Sequence, residues 1–167
     1  MRNGVWILIM LAASAMAQAQ RANLSGTWKL NVEKSFMGGD HPFSNYELTK
    51  KIVQNDSTIA ITDIAVHPNV VNIPLPDSTS TLELALDGKE HEVQLPSTFP
   101  GSTPPKARVT AMWQGCTLEF EEFIAGFANY SKQRLFLSED GSELIDLVEQ
   151  HANYGDAEQR LVFEKAP

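Results

Sequence analysis

Beyond residue 24, apolar and polar residues alternate with a period of two through most of the chain. That period marks strands with one buried and one wet face. Trp28, Leu30 and Val32 alternate with Lys29, Asn31 and Glu33, and Leu82, Leu84 and Leu86 with Glu83, Ala85 and Asp87. Leu118 and Phe120 alternate with Thr117, Glu119 and Glu121, and Leu161 and Phe163 with Arg160, Val162 and Glu164. Strands are predicted over 25–32, 46–54, 57–66, 79–87, 89–95, 106–114, 116–123, 129–138, 142–150 and 158–165. No segment after residue 24 carries a long helical period. With 167 residues, 43% apolar and 20% charged, the chain suits one globular all-β domain, a barrel or a sandwich of short antiparallel strands.

The connections discriminate between the two. Even-numbered connections are tight and carry turn chemistry: Gln54-Asn55-Asp56-Ser57, Asp87-Gly88, Gln114-Gly115 and Glu139-Asp140-Gly141. Such pairs supply the positive φ or the side-chain acceptor that a hairpin needs. Odd-numbered connections are longer: Glu33–Asn45, His67–Ser78, Pro96–Pro105, Ile124–Ala128 and His151–Ala157. Seven of the nine prolines fall in the third and fifth of all connections, which therefore cannot be continuous strand. In an up-and-down meander, odd and even connections lie at opposite ends. The expected shape is a cup of about 8–10 strands, with a sealed floor, a long-looped rim and a lumen. A sandwich with its loops gathered at one end is the alternative. An even strand count lets the first and last strands pair and close the ring.

The first twenty residues differ from the rest. Arg2 precedes an apolar run from Val5 to Ala13, and Ala15-Met16-Ala17 and Ala17-Gln18-Ala19 are small-x-small cleavage patterns. This order predicts a signal peptide over 1–19, cleaved near Ala17 or Ala19, with one domain over 20–167. Secretion or a periplasmic location follows. Net charge −8 disfavours nucleic acid as a partner, and no apolar run reaches the length of a membrane helix. A lone cysteine, Cys116, excludes an intrachain disulfide; it follows the Gln114-Gly115 turn and is expected to be a small buried apolar group.

The run Leu24-Ser25-Gly26-Thr27-Trp28-Lys29-Leu30 resembles the Gly-x-Trp opening of lipocalins and the wider calycin barrels. With Leu135-Phe136-Leu137-Ser138-Glu139-Asp140-Gly141 and Gln159-Arg160-Leu161-Val162-Phe163-Glu164-Lys165, the chain is similar to small secreted lipocalin-like proteins of bacteria. The resemblance covers most of 24–165. It implies an antiparallel barrel holding a small apolar molecule, with Trp28 packed at the floor beneath a cation of the last strand. Lys165 shares the parity of Leu161 and Phe163, so it is the candidate cation. The chain lacks the lipocalin disulfide, and Gln114-Gly115 stands where the family carries Thr-Asp.

Candidate chemistry is sparse. There is no Gly-x-Ser-x-Gly, phosphate loop, dinucleotide fingerprint or His-Glu-x-x-His, so neither cofactor nor catalytic metal is expected. His41, His67 and His151 fall on rim connections without metal-ligand spacing and read as separate loop residues. His91 shares parity with Val93 and Leu95 and is expected to face the lumen as an orienting donor. Adjacent Glu121 and Glu122 point to opposite faces and read as solvated charge, as do Asp140 and Glu143. The expected lumen set is Leu30, Ile61, Leu84, His91, Val109, Phe120 and Leu135, with Trp28 and Trp113 near the floor. Apolar loop residues (Phe36, Val70, Val71, Ile73, Phe43, Phe99, Phe127, Tyr154) would cover the mouth or form a contact surface.

Three functions follow in order. The first is a non-catalytic binder of a small, largely apolar ligand. The second is a cell-envelope interaction module using the rim. The third is a barrel isomerase or hydrolase with His91 as base, which needs a carboxylate or Tyr within hydrogen-bond reach.

Overall fold

The computed structural model describes residues 21–36, 47–66, 77–95, 103–124, 129–153 and 155–166. They form ten strands: β1 Gly26–Leu30, β2 Glu47–Gln54, β3 Thr58–Val66, β4 Ser78–Ala85, β5 Glu90–Gln94, β6 Lys106–Gln114, β7 Thr117–Ile124, β8 Asn129–Leu137, β9 Glu143–Ala152 and β10 Gly155–Lys165. All belong to one antiparallel sheet in the order β4-β3-β2-β1-β10-β9-β8-β7-β6-β5. β1 pairs with β10 through Trp28↔Lys165 and Leu30↔Phe163, so the first and last strands join the meander into one continuous, nearly closed sheet. No helix among the described residues is long and apolar enough to cross a membrane.

Two connections depart from the sequence expectation. Asp87-Gly88 does join β4 to β5 tightly, but the two strands do not pair. The turn is tied to β6 instead, Gly88 N donating to Ala111 O at 3.1 Å. Gly88 takes φ +70°, and a Cβ there would meet Met112 Cε at 3.2 Å. An open seam therefore runs between β4 and β5. Its cause is composition: Glu90, His91 and Glu92 are all exposed on the short β5, and charge on a short strand opposes further pairing. The ninth connection is short, not long. Gly155 pairs with Ala152, so β9 and β10 run ten residues or more each and meet in a tight hairpin.

The remaining turns follow their residues. Asn55 Oδ1 accepts the amides of Ser57 at 2.9 Å and Thr58 at 2.8 Å, the local bonding that makes Asn a turn former. Asp140 Oδ1 accepts from Ser138 Oγ at 2.6 Å and from Ser142 N at 3.1 Å. Those bonds hold the Asp140 carboxyl down at about 2. Cys116 is exposed in the β6–β7 turn; the Gly115-Cys116 pair is the turn itself, and that corrects the expectation of a buried thiol.

The inward faces are not uniform from floor to rim. At the tight-turn end, Trp28, Ile59, Leu118, Leu135, Leu144 and Phe163 are almost completely buried and form a solid floor. Leu24 is fully buried too. It is carried across the barrel bottom by the segment before β1, which Gln54 grips by accepting from Leu24 N and donating to Ala22 O, both at 3.0 Å. Trp28 Nε1 donates to Leu24 O at 2.9 Å, so its one polar atom is satisfied in the core. Lys165 Nζ lies 5.7 Å from the Trp28 ring centroid. After β1 the chain turns at Val32–Ser35 and returns to β10 through paired bonds between Phe36 and Arg160, both 2.7 Å.

Candidate functional site

Above the floor, the inward rows change character. On β2 the row reads Leu48, Lys50, Ile52; on β3 it reads Ile59, Ile61, Asp63, Ala65; on β9 it reads Leu144, Asp146, Val148. Each places one charge on an apolar face. Lys50 is 4% exposed and Asp146 1%. Lys50 Nζ donates to Asp63 Oδ2 at 3.2 Å; Asp63 Oδ1 is nearer, 2.9 Å, but off the bonding direction, and makes an ionic contact only. Asp146 Oδ2 is 3.6 Å away, just beyond hydrogen-bond length. The Phe163 ring centroid lies 5.5 Å from the ammonium.

The three charges sit within one contact network. Burial opposes the charge on Lys50, yet the two carboxylates outweigh it and raise its pKa, so the ammonium persists. Burial pushes the Asp146 carboxyl up, and Lys50 offsets only part of that.

Lys50 and Asp63 of this triad line a chamber of about 260 Å³, from which Asp146 is set back. Its apolar walls are Ile61, Leu82, Leu95, Phe120 and Ile124, and its polar ones Lys50, Asp63, Ser80, Glu122 and Gln133. A second hollow of about 170 Å³ shares Glu122, Ile124 and Gln133 and adds Ser131 and Gln150 toward β9. Glu122 is thus an inward residue at the junction of two hollows, which corrects its reading as solvated charge. Burial alone raises its pKa. Its neighbour Glu121 points outward, 3.4 Å from Lys132 Nζ, which also meets Glu119 at 2.8 Å.

A third cavity, about 460 Å³, follows the seam, with Ile59, Leu84, His91, Val93, Val109 and Ala111 in its walls. His91 reaches it from the open edge rather than from a closed lumen. Its Nε2 is 2.9 Å from Asp87 Oδ1, and the two side chains are 44% and 43% exposed. Asp87 also accepts from Lys89 N at 3.0 Å, and these bonds pull its pKa down. The carboxylate partner required of a catalytic imidazole is present, but as a clamp on the β4–β5 turn in contact with water.

The expected lumen residues therefore separate by height. Ile61 and Phe120 line the chamber. Leu84, His91 and Val109 line the seam cavity. Leu30 and Leu135 are buried in the core cluster. Trp113 packs partly buried against that cluster, and its Nε1 has no hydrogen-bond partner among the described residues. His151 stacks on Tyr130 at 5.8 Å and meets Asp156 at 2.9 Å; Phe36 is 58% exposed. His41, His67 and the other apolar loop residues named above lie outside the described residues. Sequence reasoning missed Lys50 and Asp146. Their signal was present: opposite charges, each centred in an otherwise apolar strand face.

No family model matches this sequence, and no curated protein does either. Solved structures match its fold. Echinococcus granulosus fatty-acid-binding protein 1 is 12% identical with a TM-score of 0.55, over 86% of this chain and 98% of that one. Zebrafish ileal bile acid-binding protein, complexed with cholic acid, is 17% identical with a TM-score of 0.52, over 85% and 98%. Caenorhabditis elegans lipid binding protein 8 is 12% identical with a TM-score of 0.56, over 85% and 94%. At such identities the likeness is one of fold: ten antiparallel strands in a nearly closed barrel of the calycin type.

Proposed function

We propose that the chain is an exported, non-catalytic binding protein that holds a small, largely apolar ligand in the upper half of its barrel. The observation that carries the reading is the chamber: a hollow of about 260 Å³ with an apolar wall and a few convergent polar groups, above a floor packed solid. A small-molecule site has this composition. The names of the structurally similar proteins, binders of fatty acid, lipid and bile acid, support a lipophilic occupant. The order of Arg2, the Val5–Ala13 run and the Ala-x-Ala patterns supports export.

Titration with a neutral apolar dye such as Nile red tests the binding. Leu82→Trp fills the chamber from β4 and should abolish saturable dye binding while leaving the fold's circular dichroism unchanged. Binding that survives this variant would place the dye elsewhere and remove the reading. For export, the N-terminus of protein recovered outside the cytoplasm should be Gln18 or Gln20.

A further inference from the structure

The charges at and behind the chamber wall are unbalanced. One ammonium, Lys50, faces two carboxylates, Asp63 and Asp146, and is in ionic contact with both. It has no charge to spare for an incoming anion. Across the hollow stands a third carboxylate, Glu122. Among the described residues no side chain donates to it or pairs with it, and the groups beside it in the shared wall, Gln133 and Ser131, are neutral. Ser131 Oγ is itself buried without a hydrogen-bond partner among the described residues. A ligand carboxylate would become the fourth negative group around one cation, in a partly desolvated space where like charges repel strongly. A protonated amine would instead give Glu122 its missing partner and could donate a further hydrogen to a neighbouring acceptor.

We infer that the ligand's polar end is a protonated amine held by Glu122, with the apolar body lying along Ile61, Leu82 and Phe120. This rests on the binding function proposed above and names the ligand class for the same chamber. Burial of Glu122 without a compensating charge makes the pairing stronger than on the surface, because little water competes for the carboxylate.

Displacement of Nile red by decylamine, decanol and decanoate distinguishes the possibilities, at neutral pH and about 0.15 M salt to screen the acidic surface. Decylamine should displace the dye at a concentration about tenfold or more below decanoate, the scale of one charge-assisted hydrogen bond, with decanol between them. Glu122→Gln should erase the advantage of decylamine over decanol, and Glu122→Lys should reverse the order so that decanoate is preferred. Decanoate matching or exceeding decylamine on the wild-type barrel, or an amine preference that survives Glu122→Gln, overturns the inference and leaves the binding function standing. Dye binding that persists in Leu82→Trp removes both.

Discussion

Replacing Lys50 with Met keeps most of the side chain's bulk and its apolar stem but deletes the ammonium. In the wild-type barrel that group is 3.6 Å from Asp146 Oδ2, and Asp146 Oδ1 has no hydrogen-bond partner among the described residues. Asp63, part-exposed, can turn to water when the cation is lost; Asp146 at 1% exposure cannot. The penalty therefore concentrates on one stranded carboxylate. Breaking a buried pair in this way costs about 3–5 kcal/mol, which for a domain of this size lowers Tm by roughly 10 °C. Urea unfolding at pH 7 measures it. The pH dependence gives a second, independent signature. Burial already holds the Asp146 pKa above the usual carboxylate range, and losing Lys50 raises it further. A carboxyl with a raised folded pKa destabilises the fold fully above that pKa, and the penalty disappears as pH falls to its unfolded value of about 4. The deficit of Lys50→Met should thus shrink on acidification. Adding Asp146→Leu should bring stability back to within about 1 kcal/mol of wild type, since an apolar pair can replace a buried ionic one. A loss under about 1 kcal/mol at pH 7, a deficit independent of pH, or a double variant as unstable as the single one would refute the reasoning.

Trp28→Ala removes the largest floor side chain and should cost about 3–5 kcal/mol in urea, whereas Lys165→Met, which deletes only the cation over the ring, should cost about 0.5–1 kcal/mol; equal losses would contradict the packing described. Gly88→Ala imposes a side chain at φ +70° with Met112 Cε 3.2 Å away and should destabilise by about 1–2 kcal/mol, read as a lowered urea midpoint with an unchanged slope.

Strand positions were largely legible because alternation and turn chemistry agree. Asn55, Gly88, Gly115 and Asp140 sit at or beside their turns, and all ten predicted strands have counterparts within a few residues. The pairing of β1 with β10 was legible from strand parity, but it does not close the ring, since β4 and β5 stay unpaired. The seam was not inferred, because Asp87-Gly88 reads as a hairpin turn and whether flanking strands pair depends on tertiary competition: Gly88 bonds β6 rather than closing a β4–β5 ladder. The ninth turn misled for a similar reason, since His151, Asp156 and Glu158 lower the apparent strand character of segments whose backbone pairing continues. At the site, Ile61 and Phe120 were found by parity. Glu122 was passed over because its charge was read as a sign of solvent, and Lys50 and Asp146 were not singled out at all. A charge on an apolar face can be stable when another strand supplies its counterion, and that partner is invisible within a single segment.

Nine of the junctions between neighbouring strands are laced by backbone bonds; the tenth, between β4 and β5, is not. Enlarging the girth of the molecule there breaks no rung of any ladder, whereas enlarging it elsewhere would sever several. Elastic compliance is consequently concentrated along one line, the one beside the cavity that Leu84, His91 and Val93 help to line. Backbone amides bordering that line would exchange with deuterium well before those of β1, β9 and β10.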